Sequence, residues 1–302
     1  MPPSPASRCG FVALVGAPNV GKSTLLNALV GEPLAIVSPK PQTTRESVTG
    51  LLTDGDTQIV FTDTAGLLDP AYALHRAMLH AALRALEGAD LVLHLHPLVE
   101  GPAPTLDTLV RGARAEGRGT RMPGDRVLTV YTKADQKGGG SGDRGIGRSG
   151  SLVVSAVTGQ GIAELLEAIR ARLPEHPFLY PADDVGTQPL RFFAAEFVRE
   201  AAFAALEEEL PYSLAVTIDE FRESEEPVYI RATLAVERES QKPIVLGKGG
   251  RTIKTIGTAA RRRLEALLGR RTRLELWVTV WPKWRRDPAA LARLGLPLPD
   301  TE

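Results

Sequence analysis

The chain has 302 residues, with 36 basic and 36 acidic side chains, and its hydrophobic content of 43% suits a soluble protein of about two domains. Cys9 is the single cysteine, which excludes a disulfide within the chain and a thiolate zinc site. No apolar run is long enough to cross a membrane, and the start "MPPSPASRCG" lacks the apolar core of a signal peptide. We therefore expect a cytoplasmic protein.

Short apolar runs alternate with helical patterns over the first two-thirds of the chain. This alternation predicts an α/β domain with a mainly parallel sheet and helices on both faces. "FVALVG" predicts a buried strand, "TLLNALV" a helix that ends at Gly31, and "VTGLLTDGDTQIVFTDT" two strands joined by a hairpin turn. "ADLVLHLH", "RVLTVYT" and "SLVVSA" predict the remaining strands.

We predict a first domain over 1–174, a Pro-rich linker over 175–189 and a second domain over 190–302. A Gly-rich stretch, 136–151, is predicted to be a flexible loop inside the first domain. The second domain shows the order α-β-β-α-α-β, with the Gly-rich turn of "KPIVLGKGG" between its last two helices.

The balanced net charge hides a strong asymmetry within the second domain. The segment 191–236 holds 4 basic and 10 acidic residues, whereas 237–286 holds 14 basic and 4 acidic residues. A solvated basic face is the plain interpretation, but the Gly-rich turn inside this segment favours a polyanion such as nucleic acid.

"GAPNVGKS" fits the phosphate-binding pattern G-x-x-x-x-G-K-[ST] between a predicted strand and a predicted helix. Its backbone N–H groups would face phosphates, Lys22 would bind the β- and γ-phosphates, and Ser23 would offer a hydroxyl to Mg²⁺. The predicted nucleotide-binding residues here are Gly16, Ala17, Pro18, Asn19, Val20, Gly21, Lys22, Ser23 and Thr24.

"DTAG" follows the apolar run "QIVF" and places Asp63 at the end of a strand beside the phosphate loop. Asp63 is the candidate carboxylate for Mg²⁺, and the backbone N–H of Gly66 is a candidate donor to the γ-phosphate. We assign Asp63, Thr64, Ala65 and Gly66 to the nucleotide site.

Two further motifs predict a preference for guanine. An acid in "TKAD" can accept hydrogen bonds from two guanine nitrogens that adenine cannot match, and "SAVTG" would bring the Ala156 N–H to the base oxygen. The predicted base-pocket residues are Thr132, Lys133, Asp135, Ser155 and Ala156.

These motifs, in this order, resemble the Era family of ribosome-associated GTPases over nearly the whole chain. In "PQTTRE", which resembles the first switch of that family, Thr44 is the preferred Mg²⁺ ligand and Thr43 the alternative. The resemblance implies GTP and GDP as ligands, Ser23, Thr44 and Asp63 as metal ligands, and Lys22, Thr44, Gly66 and Asn19 as catalytic residues. Asn19 occurs in relatives that use K⁺ as a charge donor.

The sequence departs from the family at several positions. Leu67 takes the place of a water-orienting glutamine, as is usual in this group, so we expect slow unassisted hydrolysis. Thr132 replaces the usual Asn of the guanine motif, which predicts retained but weaker guanine binding. Ala65 replaces a Pro, and the Gly-rich loop stands where relatives have a helix.

The second domain resembles a type II KH domain, in which a G-x-x-G turn clamps about four nucleotides. The predicted RNA-binding residues are Gly247, Lys248, Gly249, Gly250, Arg251, Lys254 and Arg261. Ile253 and Ile256 would line the groove for the bases. Trp281 and Trp284 would either stack on RNA or pack against the domain.

The resemblance implies a monomeric GTP hydrolase that docks its KH domain on the 3′ end of 16S rRNA during 30S subunit assembly. Switch segments at 35–48 and 66–80 would report the nucleotide state. A KH fold that no longer binds RNA, an RNA-binding module with a purely structural nucleotide domain, and a peripheral membrane switch are the alternatives.

Overall fold

The computed structural model describes residues 7–38, 40, 42–110, 124–136 and 151–298. It divides into two compact units, each with its own core. The first unit holds Met1–Val37, Pro41–Ala71 and His75–Thr187, and the second holds Ser38–Lys40, Tyr72–Leu74 and Gln188–Glu302. Most of the predicted Gly-rich loop, 137–150, lies outside the described residues.

The first unit is built on a six-stranded sheet with the order β2-β3-β1-β4-β5-β6. The strands are β1 (Arg8–Val15), β2 (Val48–Asp54), β3 (Thr57–Asp63), β4 (Leu91–Pro97), β5 (Val127–Thr132) and β6 (Leu152–Val153). The helices described in this unit are α1 (Lys22–Val30), α2 (Ala73–Glu87, which belongs to this unit from His75 onward), α3 (Leu106–Leu109) and α4 (Ile162–Arg170). Among these strands β2 alone runs antiparallel to its neighbour, so the predicted mainly parallel sheet is confirmed.

The central strand β1 explains where the site lies. Its side chains Ala13 and Leu14, which point to opposite faces of the sheet, are both buried, as the unbroken apolar run requires for a strand covered on both faces. Parallel pairing aligns Leu14 with Asp63, and the same sheet edge receives the carboxyl ends of β4 and β5, where Pro97 is aligned with Thr132. The loops after these strands therefore meet at one edge, the usual place for a ligand in an open α/β sheet.

The segment predicted as a linker is a built part of the first unit as far as Thr187, so the predicted domain end at 174 needs correction. The Val185 carbonyl accepts a hydrogen bond from the Leu51 N–H (2.9 Å). The Gln58 amide, which is fully buried, donates to the Tyr180 carbonyl (2.9 Å) and accepts from the Leu179 N–H (2.8 Å). These bonds satisfy polar groups along the β2–β3 side of the sheet and hold 175–187 in place.

The second unit places helices on one face of a three-stranded sheet with the order β7-β8-β9. Its strands are β7 (Ala215–Arg222), β8 (Val228–Val236) and β9 (Thr272–Val280). Its helices, where described, are α5 (Leu190–Ala205), α6 (Leu210–Ser213), α7 (Lys242–Leu246), α8 (Arg251–Leu268) and α9 (Pro288–Arg293). β7 is antiparallel to β8, and β8 is parallel to β9.

The core of the second unit lies between α5, α8 and the inner face of the sheet. Val198 and Ala202 of α5, Leu234 of β8, and Ile256 and Ala260 of α8 are all fully buried there. The predicted order α-β-β-α-α-β is present, with the single turn α6 added after α5 and the short helix α9 added after β9.

Within the described part of the chain, no helix combines the length and the apolar character that a membrane span requires.

Candidate nucleotide and RNA sites

The loop between β1 and α1 has the shape that a phosphate ligand needs. A Cβ at Gly16 would lie 2.5 Å from the Leu95 carbonyl oxygen, so a side chain cannot be accommodated at this position. α1 begins directly after the loop at Lys22, which aims the positive end of the helix at the loop. The backbone therefore presents N–H groups and a helix N-terminus to an anion.

Lys22 is buried and folds back over the loop. Its Nζ donates to the carbonyls of Ala17 (3.0 Å) and Gly16 (3.4 Å). Burial lowers the pKa of the Lys22 ammonium to about 8, although the nearby Asp63 opposes this shift. The ammonium is thus held at the loop by weak acceptors that a phosphate oxygen would outcompete.

Ser23, Thr44 and Asp63 form one hydrogen-bonded cluster. Ser23 Oγ donates to Asp63 Oδ2 (2.7 Å), Thr44 Oγ1 donates to the same oxygen (3.0 Å), and the two hydroxyls are 2.9 Å apart. Asp63 is fully buried, its burial raises the pKa of the carboxyl group, and Oδ1 has no partner among the described residues. The neighbouring Thr43 is buried, whereas Thr44 faces the cluster.

This donor set fits Mg²⁺. One carboxylate with an unpartnered buried oxygen and two hydroxyls provide the oxygen ligands that Mg²⁺ prefers, and they leave positions for phosphate and water. Among the residues that the structure describes, no group of three or more His, Cys, Asp and Glu side chains offers another metal site.

The segment after Asp63 packs against the phosphate loop. The Leu67 N–H donates to the Gly16 carbonyl (3.0 Å), and Gly66 lies so close to Pro18 that a Cβ would approach the Pro18 nitrogen to 2.7 Å. The Leu67 side chain is buried in the core beside Leu79 and Leu83. Leu67 therefore has neither the chemistry nor the position to orient a water molecule.

Thr132 ties the base-pocket strand to the phosphate loop. Its hydroxyl is buried and donates to the Val20 carbonyl (2.6 Å). A hydroxyl carries one proton, so this bond leaves no donor for the base. The replacement of Asn by Thr thus keeps a tether between β5 and the loop and removes the second donor of the amide.

The Ser155 hydroxyl forms its hydrogen bonds within the protein. Its hydroxyl is fully buried, donates to Asp135 Oδ1 (2.5 Å) and accepts from the Thr158 N–H (3.2 Å). Ser155 therefore orients the exposed carboxylate of Asp135. Asp135 lies two residues after Lys133, which adopts a left-handed conformation.

The remaining predicted residues of this site also fall at the sheet edge. Thr64 is fully buried, and its hydroxyl donates to the Leu14 carbonyl (2.8 Å), which is a structural role. Asn19 is exposed in the loop with a φ of 63°. Thr24 lies in the first turn of α1, and Ala156 directly follows Ser155.

In the second unit, the turn Gly247–Gly250 projects between α7 and α8. Gly249 has a φ of 61°, and nothing lies within 4 Å of the place where its Cβ would be. The predicted cations Lys248, Arg251, Lys254 and Arg261 lie on or beside α8, and all of them are exposed. Arg251, Lys254 and Arg261 are spaced to share one face of that helix.

The groove beside this turn differs from the prediction at one residue. Ile256 is fully buried in the core and does not line an open groove, whereas Ile253, Leu274 and Leu276 are partly buried. A Cβ at Gly257 would lie 3.3 Å from Leu276, so helix and strand approach closely here. The partly exposed apolar strip therefore runs along β9.

The tryptophans divide into core and surface residues. Trp284 is buried, and its indole N–H donates to the Ser213 carbonyl (2.8 Å), so the packing alternative is the right one for this ring. Trp277, which no sequence motif marked, is 61% exposed on β9. Strand alternation would have indicated this, because Leu276 and Val278 face the core.

The first unit is an open α/β sheet with a phosphate loop, an Asp at the end of β3 and an acid after β5, which are the features of a GTPase. The second unit is a three-stranded sheet with helices and a G-x-x-G turn, which are the features of a KH domain. Residues 11–127 match the family of 50S ribosome-binding GTPases, and residues 209–285 match the KH domain family. The chain belongs to the GTPase Era family. It is 42% identical over 295 residues to GTPase Era of Thermotoga maritima, a match that covers 96% of this chain and 97% of that relative. It is 41% identical over 302 residues to GTPase Era of Desulfovibrio desulfuricans, with 96% and 97% covered.

Solved structures of Era agree with the fold. A crystal structure of Era in complex with MgGDPNP and nucleotides 1506–1542 of 16S ribosomal RNA matches with a TM-score of 0.86 and 36% identity, covering 97% of this chain and 100% of that one. A crystal structure of an Aquifex aeolicus Era variant bound to GDP·AlF4⁻ matches with a TM-score of 0.83 and 36% identity, covering 96% and 100%.

Proposed function

We propose that this GTPase binds and hydrolyses GTP with Mg²⁺ and uses its KH domain to bind the 3′ end of 16S rRNA during assembly of the 30S subunit. The observation that carries the nucleotide part is the convergence of Ser23 and Thr44 on Asp63, whose second oxygen is buried and unpartnered among the described residues. The RNA part is supported by the exposed G-x-x-G turn and by the related Era whose structure holds 16S rRNA nucleotides.

Each residue of the nucleotide site has a defined task in this proposal. Lys22 exchanges its loop carbonyls for β- and γ-phosphate oxygens, and Ser23, Thr44 and Asp63 hold Mg²⁺, which neutralises charge on the phosphates. Asp135, oriented by Ser155, accepts from the two guanine nitrogens. The Gly66 N–H donates to the γ-phosphate.

The rate of hydrolysis should be low without a stimulating partner, because Leu67 lies in the core and orients no water. We propose that K⁺, placed by the exposed Asn19, supplies positive charge at the phosphates. Equal turnover in potassium and sodium buffers of matched ionic strength would contradict this role, whereas loss of the potassium effect in Asn19→Ala is expected.

The experiment that tests the main proposal is a GTPase assay with and without a single-stranded RNA that ends like the 16S 3′ terminus. Lys22→Ala should abolish turnover and leave RNA binding intact. Turnover in Lys22→Ala equal to that of the wild type would refute the catalytic assignment. RNA binding without any turnover in the wild type would instead favour an RNA-binding module whose nucleotide domain is structural.

We further propose that the protein is a monomer in the cytoplasm. Any contact with the membrane would be made by the basic segment 237–286. Sedimentation velocity tests the first statement. Flotation with anionic and with neutral vesicles tests the second, because electrostatic attachment requires anionic lipid.

A further inference from the structure

A basic cavity lies in the second unit at the carboxyl ends of β8 and β9. These strands are parallel, with Val236 aligned to Val280, so the chain leaves both at the same edge of the sheet. The Trp281 N–H donates to the Val236 carbonyl (2.8 Å). The buried ring of Trp284 anchors the chain that follows β9. The resulting cavity has a volume of about 410 Å³. Its lining residues all belong to the second unit: Tyr72, Glu237, Arg238, Pro282, Lys283, Arg285 and Arg286.

The charge of this lining is unbalanced. Glu237 is its single acid, and Arg285 pairs with Glu237 while its guanidinium lies 5.2 Å from the centre of the Tyr72 ring. Arg238, Lys283 and Arg286 are exposed, and they form no ion pair with any part of the chain that the structure describes. Three cations without a counter-charge around one cavity repel one another, and a bound anion relieves that repulsion.

The position of the cavity indicates which anion it takes. Arg238 is followed by one 3₁₀ turn, Glu239–Gln241, and then by α7, whose five residues rise about 7.5 Å before the chain reaches Gly247 of the G-x-x-G turn. A KH turn holds about four nucleotides, so a longer strand must continue past the domain. The cavity volume lies within the range of about 300–1,000 Å³ that is typical of ligand sites, which is enough for one nucleotide of that strand.

We infer that the cavity formed by Arg238, Lys283 and Arg286 is a second phosphate-binding site, which holds the backbone of the same RNA outside the nucleotides clamped at Gly247–Gly250. The aromatic ring of Tyr72 and the ring of Pro282 give an apolar wall for a sugar or base, and the three cations receive the phosphates. This inference rests on the proposed RNA binding and extends its footprint.

The test compares two RNAs, one of about five nucleotides that spans the turn and one of about twelve. The variant combines Arg238→Gln, Lys283→Asn and Arg286→Gln; Asn is chosen because Lys283 has a left-handed backbone with a φ of 57°. The matched control combines Arg270→Gln, Arg271→Gln and Arg273→Gln, which removes the same charge at the other end of β9. Fluorescence anisotropy over a range of salt concentrations measures binding.

We expect the variant to lose about tenfold or more in affinity for the long RNA, with a salt slope smaller by about 2, because each lost phosphate contact on a single strand contributes about 0.7. Its affinity for the short RNA and its GTP turnover should match the wild type. An equal loss on both RNAs, an unchanged salt slope, or an equal loss in the control would overturn the inference.

Two further arms separate the remaining explanations. If inorganic phosphate raises the melting temperature of the wild type but not of the variant, while both bind the long RNA equally, the cavity takes a free anion and the inference is wrong. If the wild type binds neither RNA, the proposed function fails and this inference fails with it. If the wild type and the cavity variant bind both RNAs equally well, the proposed function stands and this inference alone fails.

Discussion

At the scale of single residues, Thr132 is the departure from the family pattern with the clearest physical consequence. Its hydroxyl is committed to the Val20 carbonyl. We expect Thr132→Asn to strengthen guanine nucleotide binding several-fold, because an amide can keep this tether and add a second hydrogen bond, worth about 0.5–1.5 kcal/mol.

Titration with a fluorescent GDP analogue measures this effect. Thr132→Val should act in the opposite direction, since it leaves the Val20 carbonyl buried without a donor at a cost of about 1–3 kcal/mol. Thr129→Val on the same strand is the control. Weaker binding by Thr132→Asn than by the wild type would show that the amide does not fit the pocket.

His94 gives the first unit a stability that depends on pH. Burial is the main cause that lowers the pKa of His94 to about 4, and the charge of His96 adds to it; Nε2 of both rings has no partner among the described residues. In the unfolded chain His94 becomes protonated below pH 6.5, whereas in the folded protein it stays neutral until about pH 4. The free energy of unfolding therefore falls as the pH falls through this window.

Between pH 7 and pH 5 this proton uptake corresponds to about 2 kcal/mol. Urea unfolding of the wild type and of His94→Leu at both pH values measures it. The variant should lose about 2 kcal/mol less than the wild type, whereas His176→Leu, at an exposed position, should behave like the wild type. Parallel pH profiles for wild type and His94→Leu would contradict the assignment.

Sequence reasoning could place the residues whose chemistry is tied to a motif, such as Lys22, Ser23 and Asp63. It could not tell which residues of a motif contact the nucleotide and which ones hold other residues of the site in place. Ser155 and Thr64 carry hydroxyls that a nucleotide could use, but tertiary packing directs one to Asp135 and the other to the Leu14 carbonyl. Which side chains point inward depends on helix and strand register, and for that reason the predicted environment of Ile256 is wrong.

At the scale of secondary-structure elements, the G-x-x-G turn offers a way to separate RNA binding from folding. Gly249 has a left-handed backbone with open space around its Cβ position, and Asp and Asn tolerate this conformation better than other residues. We expect Gly249→Asp to fold normally and to lose most RNA affinity, because it adds a negative charge where a phosphate would lie.

Gly249→Asn is the matched variant, with the same size and backbone preference but no charge. Anisotropy with a short RNA should show a much larger loss for Asp than for Asn, and circular dichroism should show the same melting temperature for both. Equal losses for the two variants would indicate that the glycine itself, rather than the charge, decides binding.

Strands and helices were predicted where the hydrophobic periodicity is strong, and an ordered segment was missed where that periodicity is absent. β1, β8, β9 and α8 follow from apolar runs and alternation. The segment 175–187 has no periodicity, and its attachment comes from Gln58, a single buried amide that forms three hydrogen bonds with the passing backbone. Proline content alone cannot distinguish a free linker from a strand-like segment held in this way.

At the scale of the whole molecule, the two units each hold a core of fully buried side chains, such as Leu14 and Phe61 in the first and Val198 and Leu234 in the second. The change from alternating β and α elements to a short α-β-β-α-α-β series was enough to predict this division from the sequence. What the pattern could not supply is the cavity beyond Val236 and Val280, because it depends on the register of two strands that are far apart in the chain.

Two separate cores predict that the units unfold in two transitions with different ligand dependence. MgGDP at about 100 times its Kd stabilises the unit that binds it by about 2.7 kcal/mol, which for a domain of this size raises its Tm by about 5–10 °C. The short RNA should raise only the Tm of the second unit.

Differential scanning calorimetry of the wild type, Lys22→Ala and Gly249→Asp measures both transitions. Lys22→Ala should lose the MgGDP shift alone and Gly249→Asp the RNA shift alone, whereas a single transition moved by either ligand would mean that the two cores unfold as one cooperative structure.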